Sequence, residues 1–184
     1  SLYAGGNISI QQFISNQATQ AQQLEFFFNQ LGLENQVRAI NFANSQHIAY
    51  MDAWKSLQAL QVAGEDLWEK VNDENLVKFA NQLRKTKSIV NEGKILFEDS
   101  DYEQLVQVLK IFGQFYVGKL HLIDIRSRRD IERHAIEVEE SVDLLERMAS
   151  NQITGNYRLK EQYESILVKI ARSFRKRLAN YSST

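Results

Sequence analysis

The three histidines are the residues whose type most suggests a metal site, and they are His47, His121 and His134. Thirteen positions separate His121 from His134, about 220° around a continuous helix, so their rings point to different sides. Asp130, His134 and Glu137 share a face at steps of four and three. A di-iron helical bundle needs the order Glu-x-x-His twice, whereas here the histidine precedes the glutamate and the pair occurs once. We therefore interpret this group as a solvated charged face, expect no cofactor or metal, and keep a metal-dependent enzyme as the alternative.

Another group of polar residues falls on an otherwise apolar helix face. If the chain turns at residues 32 and 33, residues equidistant from that turn face each other, and Gln17 then faces His47. We interpret this as a buried polar rung that fixes the register of two helices, as polar residues do in coiled coils. A ligand-sensing or pH-sensing pocket is the alternative, because a buried imidazole titrates near neutral pH. The predicted rung or pocket comprises Gln17, Asn44, His47 and Tyr50.

Basic residues cluster twice in the second half of the chain. A turn over residues 151–156 would place Ile131 opposite Leu178 and bring both clusters to the same end of one hairpin. Such a patch could meet an anionic membrane surface or an anionic partner, whereas a nucleic acid is not expected. The predicted basic surface comprises Arg126, Arg128, Arg129, Arg133, Lys169, Arg172, Arg175 and Lys176.

The composition favours long helices and excludes several classes of site. The 184 residues include no proline, the residue that most often breaks a helix interior, and no cysteine for disulfides or thiol chemistry. The net charge of −1 provides no global field to attract nucleic acid. We find no glycine-rich phosphate loop and no nucleophile motif, so we expect a protein that is not an enzyme.

The apolar residues recur at steps of three and four along the whole chain, which predicts an all-α fold. We expect an antiparallel up-and-down bundle of five or six long helices, arranged as three helical hairpins. In the first hairpin, residues before the turn at 32–33 pair with residues after it. Phe28 is predicted to face Val37, and Leu24 to face Ile40.

The second and third hairpins follow the same reasoning. Asn72 or Asp73 is predicted to begin one helix, and Ser100 begins a capping box for the next. A hairpin with its turn near residues 99–100 is therefore expected. A helix boundary is predicted at 125–130, with one continuous helix as the alternative. The turn at 151–156 then completes the third hairpin. Gly64 lies on an apolar helix face, where a kink or a close helix crossing is expected and a full break of the helix is the alternative.

These patterns together predict one helical domain over residues 1–184, with a flexible lead-in at 1–6 and a frayed tail at 180–184. The first helix is rich in Gln and Asn and carries one charged residue, Glu25, before residue 32. We interpret the protein as a helical interaction or scaffold module that binds a protein partner or itself. No small-molecule ligand is identified. A cytoplasmic protein, or a soluble domain tethered to a membrane upstream of Leu2, is expected.

Overall fold

The computed structural model describes residues 2–133 and 139–181, with side chains described for residues 10–131 and 141–180. This part of the chain is all-α, as the sequence predicts. It contains four α-helices, fewer than the five or six expected. The helices are α1 (Leu2–Glu69), α2 (Asp73–Glu92), α3 (Asp99–Arg133) and α4 (Glu139–Tyr181), and a 3-10 helix covers Lys94–Leu96.

The chain divides into two compact units, residues 1–44 and 45–184. In the first unit every residue from 2 to 44 is helical. All its described side chains are exposed except that of Ala43, which is half-buried. The prediction of a single domain over residues 1–184 stays a prediction.

The second unit is a four-helix arrangement in which neighbouring helices run antiparallel. Along α1, Tyr50, Ala53, Leu57 and Leu60 are buried at steps of three and four, the spacing of a single helix face. This face packs on α4, where Trp54 and Tyr50 contact Phe174. Further along the same pair of helices Trp68 contacts Tyr157, so the residue numbers rise on α1 while they fall on α4.

The other helix pairs close the bundle. On α2, Phe79 packs against Phe112 and Phe115 of α3, with ring centroids 6.1 and 5.7 Å apart. Between α1 and α2, the hydroxyls of Ser56 and Thr86 share a buried hydrogen bond of 2.7 Å. Helices α3 and α4 make the most extensive contact, and Phe112 of α3 stacks on Tyr163 of α4 at 4.3 Å. One large core therefore runs between the four helices of this unit, and a smaller buried cluster lies beside it.

Several predicted features of the second unit are confirmed. Asn72 caps α2, because its side chain accepts a hydrogen bond of 2.7 Å from the backbone N–H of Asn75. The α2–α3 hairpin is present, but the predicted capping box at Ser100 is wrong, because α3 begins at Asp99 and Ser100 lies inside its first turn. Gly64 marks a close helix approach, since a Cβ there would lie 3.1 Å from the Tyr163 hydroxyl.

Three predicted breaks in the chain are wrong. Residues 32 and 33 are helical within α1, so the first hairpin and its pairing of Phe28 with Val37 do not form. The boundary at 125–130 is also helical, within α3, and the turn at 151–156 is helical within α4. Glycine costs a helix interior only about 1 kcal/mol relative to alanine, so Gly32 and Gly155 do not suffice to end a helix.

Candidate functional site

A buried carboxylate joins three helices of the second unit. Asp101 lies in the first turn of α3 and is 1% exposed. It accepts hydrogen bonds from the Tyr50 hydroxyl of α1 at 2.6 Å and from the Ser173 hydroxyl of α4. The Arg177 guanidinium, also on α4, donates to the same carboxylate at 3.0 Å. We call these four residues the Asp101 cluster.

The electrostatics of the Asp101 cluster favour the ionised carboxylate. Burial alone raises the pKa of Asp101, but the hydrogen bonds from Ser173, Tyr50 and Arg177 outweigh burial, so the pKa lies below its usual value. Burial and then the hydrogen bond to Asp101 raise the pKa of Tyr50 well above its ordinary value of 10. Tyr50 therefore stays protonated and donates to Asp101, while its oxygen accepts the backbone N–H of Glu98 at 3.0 Å. The cluster therefore links α1, α3 and α4 through hydrogen bonds to one ionised carboxylate.

A buried lysine lies further along α3. Lys119 is 2% exposed, and its Nζ lies 4.1 Å from the centre of the Trp68 ring and 5.3 Å from that of Phe115. Lys160 approaches the same indole at 5.9 Å and forms ion pairs with Glu65 and Glu164. Among the described residues no carboxylate forms an ion pair with Lys119, so cation–π contact replaces the usual ionic partner.

The burial of Lys119 changes its acid–base chemistry. Burial, with a smaller effect from the Arg126 charge, lowers the pKa of the ammonium from 10.5 to about 8. An amine with that pKa is neutral in about a tenth of molecules at pH 7. A perturbed pKa of this kind is typical of functional sites. Here the buried amine lies beside the Trp68 indole ring.

Two glycines of α3 provide a matched test of the α3–α4 packing. A Cβ at Gly118 would lie 1.9 Å from the Asn156 Oδ1 and 2.9 Å from the Gln152 Nε2 of α4, which themselves share a hydrogen bond of 3.0 Å. Asn156 is fully buried, so its side chain has little room to move. A Cβ at Gly113 would meet nothing within 4 Å.

We expect Gly118→Ala to lower the free energy of unfolding by about 1–2 kcal/mol, because overpacking outweighs the gain in helix propensity. We expect Gly113→Ala to raise it by about 0.5–1 kcal/mol through propensity alone. Urea denaturation of the two variants measures both changes. If both substitutions stabilise the protein, the close α3–α4 contact at Gly118 is wrong.

The first unit carries a different feature, an apolar helix face whose side chains are exposed. We call it the seam face. Its residues lie within about 100° of one another around the helix axis. Leu24 is 56% exposed and Phe28 is 64% exposed. The seam face comprises Ile10, Ile14, Ala21, Leu24, Phe28 and Leu31.

The predicted buried rung is wrong for three of its four residues. Gln17, Asn44 and His47 are exposed, and only Tyr50 is buried. The rung depended on a turn at residues 32–33, which α1 replaces with helix. Tyr50 instead belongs to the Asp101 cluster. The predicted pocket at these residues therefore loses the geometry that would have formed it.

The two predicted basic clusters do not lie at the same end of the bundle. Arg177, one residue after Lys176, contacts Asp101 in the first turn of α3, whereas Arg128 lies near the other end of that helix. The 27 residues from Asp101 to Arg128 span about 40 Å of helix. Arg128 and Arg129 face Asp124 and Asp130 at 3.3 and 3.7 Å.

The individual basic side chains differ in exposure. Arg126 and Arg129 are half-buried, and the side chain of Arg133 lies outside the described ones. The exposed members are Arg128, Lys169, Arg172, Arg175 and Lys176. The separation of the two clusters removes the argument for one continuous basic surface.

Within the part of the chain that the structure describes, no group of three or more histidine, aspartate or glutamate side chains could hold a metal ion. His134 and Glu137, from the metal-site alternative, lie outside the described residues. None of the described helices is long and apolar enough to cross a membrane.

Sequence reasoning missed both buried charges, although each had a signal. Asp101 lies four residues before Leu105 and therefore on the same face as that core residue. Lys119 lies four residues after Phe115 and three before Leu122, both buried. A charge at a core position of a helix is the pattern that identifies such residues.

Comparison of the chain with protein-family models, with curated proteins and with solved structures finds no match. The candidate sites therefore rest on the geometry of this chain alone.

Proposed function

We propose that this protein is a non-enzymatic helical interaction module, and that the seam face of the first unit is its contact surface. The observation that carries the proposal is the exposure of large apolar side chains along this face. Ile10, Ile14, Leu24 and Phe28 are each more than half exposed. We expect an amphipathic helix of another protein chain to cover this face, because such a helix is the usual partner of an apolar helical stripe.

The energetics of an isolated helix support the proposal. Most helical stability in proteins comes from the packing of an amphipathic face rather than from intrinsic propensity. Contiguous apolar patches on a protein surface typically mark interaction sites. Charge does not oppose a contact here, because residues 10–31 contain one charged side chain, Glu25. An apolar and nearly uncharged helix face gains free energy when a partner helix removes it from water.

The availability of the seam face to another molecule can be measured with a single thiol. The chain has no cysteine, so Leu24→Cys introduces the only one. Val168→Cys is the matched control, since Val168 lies on α4 and is 58% exposed, compared with 56% for Leu24. At nanomolar protein concentrations the chain is expected to be monomeric. Under these conditions we expect a maleimide to label the two thiols at rates within about threefold of each other.

The contradictory result is slow labelling of Leu24→Cys in a species with the mass of one chain. That result would mean that the chain covers its own seam face, and the proposed function would be wrong. Sedimentation velocity with fluorescence detection of the maleimide dye gives the mass of the labelled species.

A further inference from the structure

The seam face repeats every seven residues, and this repeat identifies the kind of helix that fits it. A spacing of seven with apolar residues at two positions, called a and d, is typical of a coiled coil, in which identical helices can pair. Ile14, Ala21 and Phe28 occupy position a. Position d is occupied by Ile10, Gln17, Leu24 and Leu31.

The one polar residue in this repeat favours pairing with an identical helix in parallel and in register. In that arrangement Gln17 meets Gln17 of the second copy, and the two side-chain amides can donate to and accept from each other. In an antiparallel arrangement that places a residues opposite d residues, Gln17 would be buried against Phe28 of the second copy. An amide buried without a hydrogen bond destabilises a contact.

Residue size beside the seam gives an independent indication of the same arrangement. In a parallel coiled coil, position g of one helix flanks position e of the other, five residues further along. Phe13 at g then lies beside Ala18 of the second copy, and Phe27 at g lies beside Gly32. Each large aromatic side chain thus meets a small residue.

The remaining flanking pair is complementary in hydrogen bonding. Gln20 at position g lies beside Glu25 of the second copy at position e. The amide N–H group can donate to the carboxylate, and two-fold symmetry forms this pair twice. The antiparallel arrangement instead places Phe13 beside Glu34 of the second copy. Both the charged and the aromatic flanking residues therefore favour the parallel pair.

We infer that the occupant of the seam face is a second copy of this chain, paired through residues 10–31 as a parallel, in-register, two-stranded coiled coil. The inference rests on the proposed function and identifies its partner. Each seam residue contributes twice in such a dimer, so single substitutions have doubled effects.

Sedimentation equilibrium of the full chain from about 1 to about 200 µM tests the dimer by mass action. We expect the mass to rise from one chain towards two. Leu24→Asp places two facing carboxylates in the seam and should raise the dissociation constant at least about 100-fold. Val168→Asp, the matched change on α4, should leave the dissociation constant within about twofold. Circular dichroism shows whether each variant keeps its helices.

Single cysteines test the orientation of the two helices. Leu31→Cys should form a disulfide with itself across a parallel pair, because the two positions face each other. In the antiparallel pair these two positions are about 25 Å apart, too far for a disulfide. A mixture of Ile14→Cys chains and Leu31→Cys chains gives the reverse test, since a 14–31 disulfide can form directly only in the antiparallel pair. Val168→Cys controls for random collision.

The outcomes separate this inference from the proposed function. A wild-type chain that stays monomeric at about 200 µM overturns the second copy as occupant. If the Leu24→Cys thiol of that monomer still labels rapidly, the proposed interaction surface stands. A dominant 14–31 disulfide overturns the parallel arrangement. A dimer that Leu24→Asp does not weaken overturns the seam face as its interface.

Discussion

Asp101→Ala should lower the free energy of unfolding by about 3–5 kcal/mol, because it removes the shared acceptor of three hydrogen-bond donors. The substitution leaves the Tyr50 and Ser173 hydroxyls without their acceptor and leaves Arg177 half-buried beside them. Chemical denaturation at pH 7 measures the change. Asp99→Ala is the matched control, because Asp99 lies in the same helical turn but is exposed. Its effect should stay below about 1 kcal/mol.

The pH dependence of the same variant checks the physical cause. The pKa of Asp101 is lower in the folded protein than its ordinary value of 3.8, so the ionised carboxylate stabilises the fold above that pH. The stabilisation is lost as the pH falls through the folded pKa. The difference in stability between wild type and Asp101→Ala should therefore shrink below about pH 4. A difference that is constant down to pH 2 would contradict an ionised Asp101.

Lys119→Met should raise the free energy of unfolding at pH 7 by about 1–3 kcal/mol. The pKa of about 8 means that the folded protein holds the ammonium at a cost of about 3 kcal/mol relative to the unfolded chain. Methionine retains an apolar stem against Trp68 without the buried charge, and the lost cation–π attraction offsets part of the gain. Urea denaturation at fixed ionic strength measures the difference.

The sign of the pH effect is opposite to that of Asp101. The folded pKa of Lys119 lies below the ordinary value of 10.5, so the destabilisation is complete below about pH 8 and disappears as the pH rises towards 10.5. Between pH 7 and pH 9.5 wild type should gain about 2 kcal/mol relative to Lys119→Met. Lys110→Met is the control, because Lys110 is exposed on α3. If Lys119→Met destabilises the protein at both pH values, the cation–π contact outweighs burial.

The helical class and one hairpin could be predicted from the sequence because they depend on local signals. Asn72 is a strong N-cap, and the stop after α2 coincides with Gly93 and a 3-10 turn. Gly32 and Asn151 are weaker signals. Each costs a helix only about 1 kcal/mol or less, and the packing of a long helix can offset that amount.

The pairing of helices was harder to predict than their existence. Apolar residues recur about every 3.6 positions on both sides of a wrongly predicted turn. Many alternative turn positions would therefore also place apolar residues opposite one another. The contacts between α3 and α4 show the true arrangement, in which Gly118 meets Asn156 and Asp101 meets Ser173. Leu122, Ile125, Leu145 and Ala149 form a buried cluster in the same helix pair.

The candidate site was predicted least well, because it joins residues that are far apart in the sequence. Tyr50 was assigned to a polar rung or pocket with Gln17, Asn44 and His47, and the structure places it in the core with Asp101 as its hydrogen-bond acceptor. An acidic residue in a first helical turn is explained equally well by the helix dipole. Its position four residues before Leu105 was the one signal that could have identified Asp101 as a core residue, and it was missed.

The separations within the Asp101 cluster have a consequence for the order of folding. Tyr50, Ser173 and Arg177 lie 51, 72 and 76 residues from Asp101. The carboxylate therefore receives its hydrogen-bond donors only after α1 and α4 have both packed against α3. Until then, burying the Asp101 carboxylate is unfavourable, because nothing replaces its hydrogen bonds to water. Contacts that close such long loops usually form late. We expect this end of the bundle to assemble last and to open first, so that changes in the Asp101 cluster accelerate unfolding far more than they slow refolding.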